Sequence, residues 1–257
     1  MLFDSHAHLD DKKLYDGLTG VMERAAAAGV TRIMNAGADW PSSLMSVRLT
    51  EKYPGQVYAA VGVHPHDARA LTEEMLQKLY ELAKLPAVSA WGEIGLDYYR
   101  DLSPRETQQS AFIAQINAAK SAKKPLIIHD RDAHGDIMRI VRQERAGENG
   151  GVFHCFSGSW EMAKECLKLG FMISFAGPLT FSNAAKIREI ATKVPPDMML
   201  VETDCPYLSP HPYRGKTNEP ARLSLVAAKL AEIRGISYSE AAETTAQNAC
   251  RLFGINS

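Results

Sequence analysis

Nothing in the 257 residues is apolar for long enough to read as a membrane span, which needs about 18 consecutive apolar positions. Met1 leads at once into a strand-like run. Neither a basic segment nor the apolar stretch of about 7–15 residues of a secretory leader precedes it, so a cytoplasmic, non-membrane protein is expected. Cysteine is scarce: Cys155, Cys166, Cys205 and Cys250 are scattered without C-x-x-C spacing, which removes cysteine zinc clusters and redox pairs and predicts reduced thiols. Charge of either sign is not in excess, with 29 basic and 30 acidic residues and a net charge of −1. Any phosphate or nucleic-acid binding must therefore come from a local patch. Repeats, low-complexity tracts and linkers are missing as well, and no protein partner is implied; a single domain over 1–257 is the economical reading.

What is present is a globular composition, 46% hydrophobic and 23% charged, arranged in alternation. Short apolar runs suited to strands recur eight times, at Leu2–Phe3, Arg32–Asn35, Val57–Val63, Val88–Ile94, Leu126–His129, Val152–Phe156, Phe171–Phe175 and Met198–Val201. Helix-like stretches separate them, at Tyr15–Ala28, Ser42–Lys52, Thr72–Lys84, Pro104–Ser121, Ile137–Glu144, Trp160–Leu169 and Asn183–Ala191. Unbroken alternation implies parallel strands with right-handed crossovers, and eight such units in this length close into a (β/α)8 TIM-type barrel. An open doubly wound sheet is the other arrangement with this pattern. Leu223–Arg234 and Ser239–Phe253 read as two further helices covering the outside, and the Pro-rich Tyr207–Pro220 as a loop over the barrel mouth.

Polar residues cap the apolar runs. His6 and His8 follow the first strand, and on an extended chain Asp4, His6 and His8 face the same way, so two imidazoles can grip one ion. Glu93 ends the fourth run between Gly92 and Gly95, whose lack of side chains lets other groups approach its carboxylate. His129 ends the fifth, His154 the sixth and Asp204 the eighth; Glu202 shares the face of Asp204 one layer deeper, as a supporting group. Six candidate ligands from five strands thus fall at the C-terminal ends, where barrel active sites are built. Four imidazoles and two carboxylates exceed one tetrahedral ion but fit two ions bridged by Glu93, with donor softness suiting zinc or manganese better than magnesium.

Such a pair of divalent ions can activate water against a phosphodiester and equally against a small amide, lactone or ester. Asp204 is the natural acceptor of the water's proton, and Glu93 the bridging carboxylate. His64, His66, Arg131, Arg214 and Lys216, in loops after the third, fifth and eighth strands, are candidate readers of substrate phosphates. His134 and His211 read as surface residues, whereas Tyr98, Tyr99 and Phe156 either stack on bases or pack.

Read in order, the stretches Asp4-Ser5-His6-Ala7-His8-Leu9-Asp10, Gly62-Val63-His64-Pro65-His66, Gly92-Glu93-Ile94-Gly95-Leu96-Asp97-Tyr98, His129-Asp130-Arg131, Phe153-His154-Cys155-Phe156-Ser157-Gly158, Glu202-Thr203-Asp204, and Arg214-Gly215-Lys216 with Asn218-Glu219-Pro220 resemble the TatD family of metal-dependent deoxyribonucleases, within the amidohydrolase-like barrels. The resemblance runs from residue 2 to about 253. It implies one metal held by His6, His8, Glu93 and Asp204, a second held by Glu93, His129 and His154, and DNA or another phosphodiester as substrate. Cys205, beside Asp204, is expected to be a buried thiol turned away from the metals.

Overall fold

A computed structural model describes residues 1–256. Eight parallel strands follow one another around a single sheet in sequence order: β1 (Leu2–Ala7), β2 (Val30–Ala36), β3 (Val57–Val61), β4 (Val88–Asp97), β5 (Leu126–Arg131), β6 (Gly151–Phe153), β7 (Phe171–Phe175) and β8 (Met199–Val201). The ends of the sheet meet just beyond β8, where Ala7 bridges Cys205 in parallel, His8 N donates to Cys205 O at 2.8 Å and Asp204 N donates to His6 O at 3.0 Å. The barrel is thereby closed, as the alternation predicts.

Between the strands run α1 (Lys12–Tyr15), α2 (Leu18–Ala27), α3 (Trp40–Lys52), α4 (Glu73–Ala83), α5 (Arg105–Ser121), α6 (His134–Gln143), α7 (Trp160–Lys168) and α8 (Ala185–Lys193), and α9 (Leu223–Arg234) and α10 (Tyr238–Phe253) complete the set. Their starts follow from side-chain chemistry. Asp39 and Ser42 form a reciprocal capping box at α3, and Thr72, Ser159 and Ser237 accept backbone N–H groups at α4, α7 and α10. The helix anticipated over Tyr15–Ala28 is two helices, because Gly17 takes a non-helical conformation and begins α2 afresh. Among the described residues no helix is long and apolar enough to cross a membrane.

The apolar residues form two layers. One lies between strands and helices; the other joins one residue from every strand, Phe3, Met34, Ala60, Ala90, Ile127, Val152, Met172 and Leu200, which only the barrel interior permits. Ala246, Ala249, Cys250 and Phe253 of α10 complete that inner cluster, with the Phe253 ring 6.0 Å from Phe3. Helix α10 therefore plugs the N-terminal end of the barrel instead of lying on its outside. Asn248 anchors it by donating to Pro196 O and Met199 O at 2.7 and 2.9 Å. With the lower end filled, the interior opens only toward the C-terminal ends of the strands. The Tyr207–Pro220 segment is a loop, as anticipated, and is stitched to the end of β8 by Asn218, which donates to Thr203 O at 2.9 Å.

Candidate metal centre

The six candidate donors converge at that open end. His6 lies inside β1 and not after it, since the strand continues to Ala7. Its pairing with β2 shifts register between Asp4 and Ala7, and this breaks the alternation that would have aligned Asp4 with the histidines. Asp4 instead accepts from Thr203 N and Thr203 Oγ1, away from the cluster. Likewise Glu93 stands within β4 and not at its end, because the strand runs on to Asp97 and pairs Gly95–Asp97 with His129–Arg131. His154 directly follows β6, and Asp204 sits three residues beyond β8 with a left-handed backbone, φ +54°.

The two oxygens of Glu93, 3% exposed, face different groups. Glu93 Oε2 lies 3.2 Å from His6 Nε2 and 3.5 Å from His8 Nε2, and Asp204 Oδ1 is 3.7 and 3.5 Å from the same two nitrogens. Glu93 Oε1 lies 2.7 Å from His129 Nδ1, 2.8 Å from His154 Nε2 and 3.5 Å from His64 Nε2.

The far side of each ring decides what its near side offers. His8 Nδ1 is 3.0 Å from Ala36 O, His129 Nε2 is 3.2 Å from Asp97 Oδ2, and His154 Nδ1 is 3.2 Å from Glu202 Oε1. These partners are acceptors, so each outer nitrogen donates a ring proton, and each inner nitrogen presents a lone pair once the ring is neutral. Neutral rings would turn three lone pairs toward carboxylate oxygens, so a positive charge, protons on the rings or a metal ion in their place, must lie between them. Imidazole and carboxylate donors so arranged fit a divalent metal. His6 Nδ1 and Glu202 Oε2 are buried without a partner among the described residues.

Protons respond to the same field. Burial opposes charge on His8, yet hydrogen bonding to Asp204 and the charge of Glu93 push its pKa up to about 9. For His154, burial is likewise outweighed, by Glu93 and Glu202, and its pKa lies well above the ordinary value; His129 is raised against burial by Asp97 and Glu93. Glu93 is held well below the carboxylate range because His154, His6 and His64 overcome the cost of its burial. His6 and His64 move the other way, lowered chiefly by burial.

His64 lies in the loop after β3, as the sequence predicts; it is only 8% exposed and also contacts Glu93, drawn in by His64 N donating to Ala38 O at 2.8 Å. His66 meets the cluster at its edge, its ring centroid 4.2 Å from that of His64, and does not pair with Glu93; its Nε2 contacts Asp97 Oδ2 at 2.8 Å. Asp97, which sequence reasoning passed over, is fully buried and holds His66 and His129 with one oxygen while the other accepts from Arg100 N. Its position four residues after Glu93, on the same strand, was the available signal. Glu202 lies behind His154 as anticipated. Arg131 stacks over Tyr99 at 4.0 Å, Arg214 over Phe181 at 4.2 Å, and Lys216 lies 5.9 Å from the Tyr213 ring. Among the described residues none of these three basic groups pairs with the cluster. Tyr98 and Phe156 pack, the former donating to Asp136 at 2.9 Å. His134 bonds Asp130, His211 is exposed, and Cys205 is a buried free thiol.

Comparison with known proteins agrees with this geometry. The TatD related DNase family matches residues 3–254. A relative from Bacillus subtilis, the uncharacterized metal-dependent hydrolase YabD, is 46% identical over 256 residues, covering 100% of both chains. The 3′-5′ ssDNA/RNA exonuclease TatD of Klebsiella pneumoniae is 34% identical over 260 residues, covering 99% of this chain and 98% of its own. The crystal structure of YjjV, a TatD homolog from Escherichia coli K12, superposes with a TM-score of 0.93 at 30% identity, covering 99% of this chain and 98% of that one. The chain belongs to the TatD related DNase family and is a metal-dependent hydrolase.

Proposed function

We propose that the whole chain, 1–257, is one phosphodiesterase domain that hydrolyses nucleic acid, DNA in the first instance, with two divalent ions. The observation that carries this reading is the division of Glu93: one oxygen faces His6 and His8, which also meet Asp204, and the other faces His129 and His154. One ion would be held by His6, His8, Glu93 and Asp204, the second by Glu93, His129 and His154. When bound, such a pair lowers the pKa of water and neutralises charge developing on a phosphoryl oxygen.

The protein's own groups supply the rest. Asp204, its pKa lowered because contact with His8 outweighs burial, is ionised at neutral pH and free to accept the attacking water's proton. Asp97 and Glu202 hold His129 and His154 in register. Arg131, Arg214 and Lys216 hold substrate phosphates, and His64 and His66 line the approach to the reacting one. Four unpaired thiols suit a cytoplasmic setting. The alternative of a small amide, lactone or ester substrate lacks the carboxylated lysine bridge that would favour it, since the bridge position is Glu93.

The test is a panel of single-stranded DNA, duplex DNA, RNA and a small ester, offered to chelated protein with zinc, manganese or magnesium restored in turn. Nuclease activity that is absent without metal and returns at two equivalents per chain is expected. Full activity of the metal-free protein, or turnover of the ester alone, overturns the proposal.

A further inference from the structure

Tyr207 is 48% exposed although it lies at the metal centre. Its ring centroid is 6.1 Å from that of His8, at an interplanar angle of 67°. Exposed tyrosines are ordinarily mobile, but this one is fixed at three points. Tyr207 N donates to Asp204 O at 2.9 Å, its hydroxyl donates to Asp11 Oδ2 at 3.0 Å, and Lys13 Nζ lies 5.5 Å from the ring centroid. Burial and the Asp11 contact push the phenol's pKa up to about 12, so the hydroxyl remains a donor throughout the neutral range. Asp11 is itself anchored, capping α1 by accepting from Lys13 N at 2.9 Å. A large π-surface is thus held rigid, partly open to solvent, three residues from Asp204.

We propose that Tyr207 is the platform on which a nucleobase next to the scissile phosphate stacks, and that it sets the enzyme's preference for nucleotides over base-free phosphodiesters. This rests on the phosphodiesterase reading above. Stacking tolerates every base because each presents a π-face, so the platform confers dependence on a base without sequence preference. Rigidity serves that role, because a ring already held in place loses little conformational freedom when the base arrives.

The test compares a thymidine hexanucleotide with a strand of equal length whose sugars carry no bases, so that charge and length are matched, using metal-loaded wild type, Tyr207→Leu and Tyr207→Phe. Removing the bases should raise the wild-type KM about tenfold, within the range of one base–aromatic stack, and should cost Tyr207→Leu nothing further. Tyr207→Phe, which keeps the ring and loses the Asp11 contact, should retain most of the base dependence. Terminal 2-aminopurine fluorescence, quenched by wild type and Tyr207→Phe but not by Tyr207→Leu, reports the stack independently of turnover. Equal wild-type KM for the two strands overturns the platform even if Tyr207→Leu fails to fold. Equal loss in Tyr207→Phe and Tyr207→Leu also overturns it, and assigns Tyr207 to bracing Asp11. A wild type that cleaves neither strand removes the phosphodiesterase reading and the platform together, whereas cleavage of both alike removes the platform alone.

Discussion

Asp204 and Glu202 are two residues apart, yet their surroundings divide their work. Asp204 Oδ1 faces His8 and His6 at the open end, whereas Glu202 is fully buried behind His154. Asn in place of Asp204 still offers an oxygen to a metal but takes up no proton at neutral pH. Asp204→Asn should retain much of its metal while kcat falls roughly 10²–10⁴-fold, the usual cost of a missing general base. Glu202→Gln should lose less turnover and more thermal stability, because it orients a ring and touches no substrate. Single-turnover rates with metal analysis on the same samples decide the matter, and a near-native Asp204→Asn beside a dead Glu202→Gln reverses the assignment. A second consequence concerns protons. His8, with its pKa near 9, and His154, raised well above the ordinary value, hold protons in the metal-free centre at neutral pH, and His129 is shifted in the same direction. Metal needs their lone pairs, so binding must expel those protons, and affinity must rise with pH until the raised pKa values are passed. Calorimetry at pH 7 in two buffers of different ionisation enthalpy should show net proton release on zinc binding; equal heats in the two buffers would contradict it.

At the scale of elements, the site depends on how closely β4 approaches β5. Gly95 adopts φ +146°, and a Cβ there would stand 1.9 Å from His129 O. Gly95→Ala must therefore push the strands apart where Glu93 and His129 meet at 2.7 Å. A fall in Tm of at least about 5 °C with loss of bound metal is expected, whereas Gly17→Ala, in open space at the start of α2, should leave both near wild type. Unaltered metal content in Gly95→Ala would show that the strand spacing is not critical. The same strands show where the sequence is legible. Phe171–Phe175 is apolar but for Ser174, and β7 has those bounds. The first strand reads as ending at Phe3 because its interior positions turn polar at the site, and the fourth as ending at Ile94 because Gly95 resembles a breaker. Asp97 was passed over for that reason. The sixth reads as running to Phe156, but Cys155, with a φ of +41°, turns the chain out of the strand. The convergence of the six candidate donors is legible because polar side chains interrupt or follow the apolar runs there. The place of α10 is not, since the buried face carrying Ala246, Ala249 and Phe253 would suit the outside of a barrel as well as its lower end.

For the molecule as a whole, a net charge of −1 leaves little general attraction for a polyanion, so the basic groups at the mouth must act locally. They sit on two sides of it, Arg131 at the end of β5 and Arg214 and Lys216 in the loop after β8. Arg131 and Arg214 lie over the rings of Tyr99 and Phe181, 4.0 and 4.2 Å from the centroids, contacts that leave the guanidinium N–H groups to other partners. Each such contact with a single strand releases about 0.7 counterion, which appears as that much slope in log affinity against log salt. Replacing Arg131 with Ala should therefore raise KM for single-stranded DNA and flatten its salt dependence by about 0.7, and the triple replacement of Arg131, Arg214 and Lys216 by about 2, with kcat little changed. The slope separates binding from damage to the fold, because a misfolded barrel loses activity at every salt concentration alike. A triple variant with the wild-type slope would exclude these residues from phosphate contact. One whose kcat falls equally on DNA and on a neutral ester would show instead that they hold the mouth together.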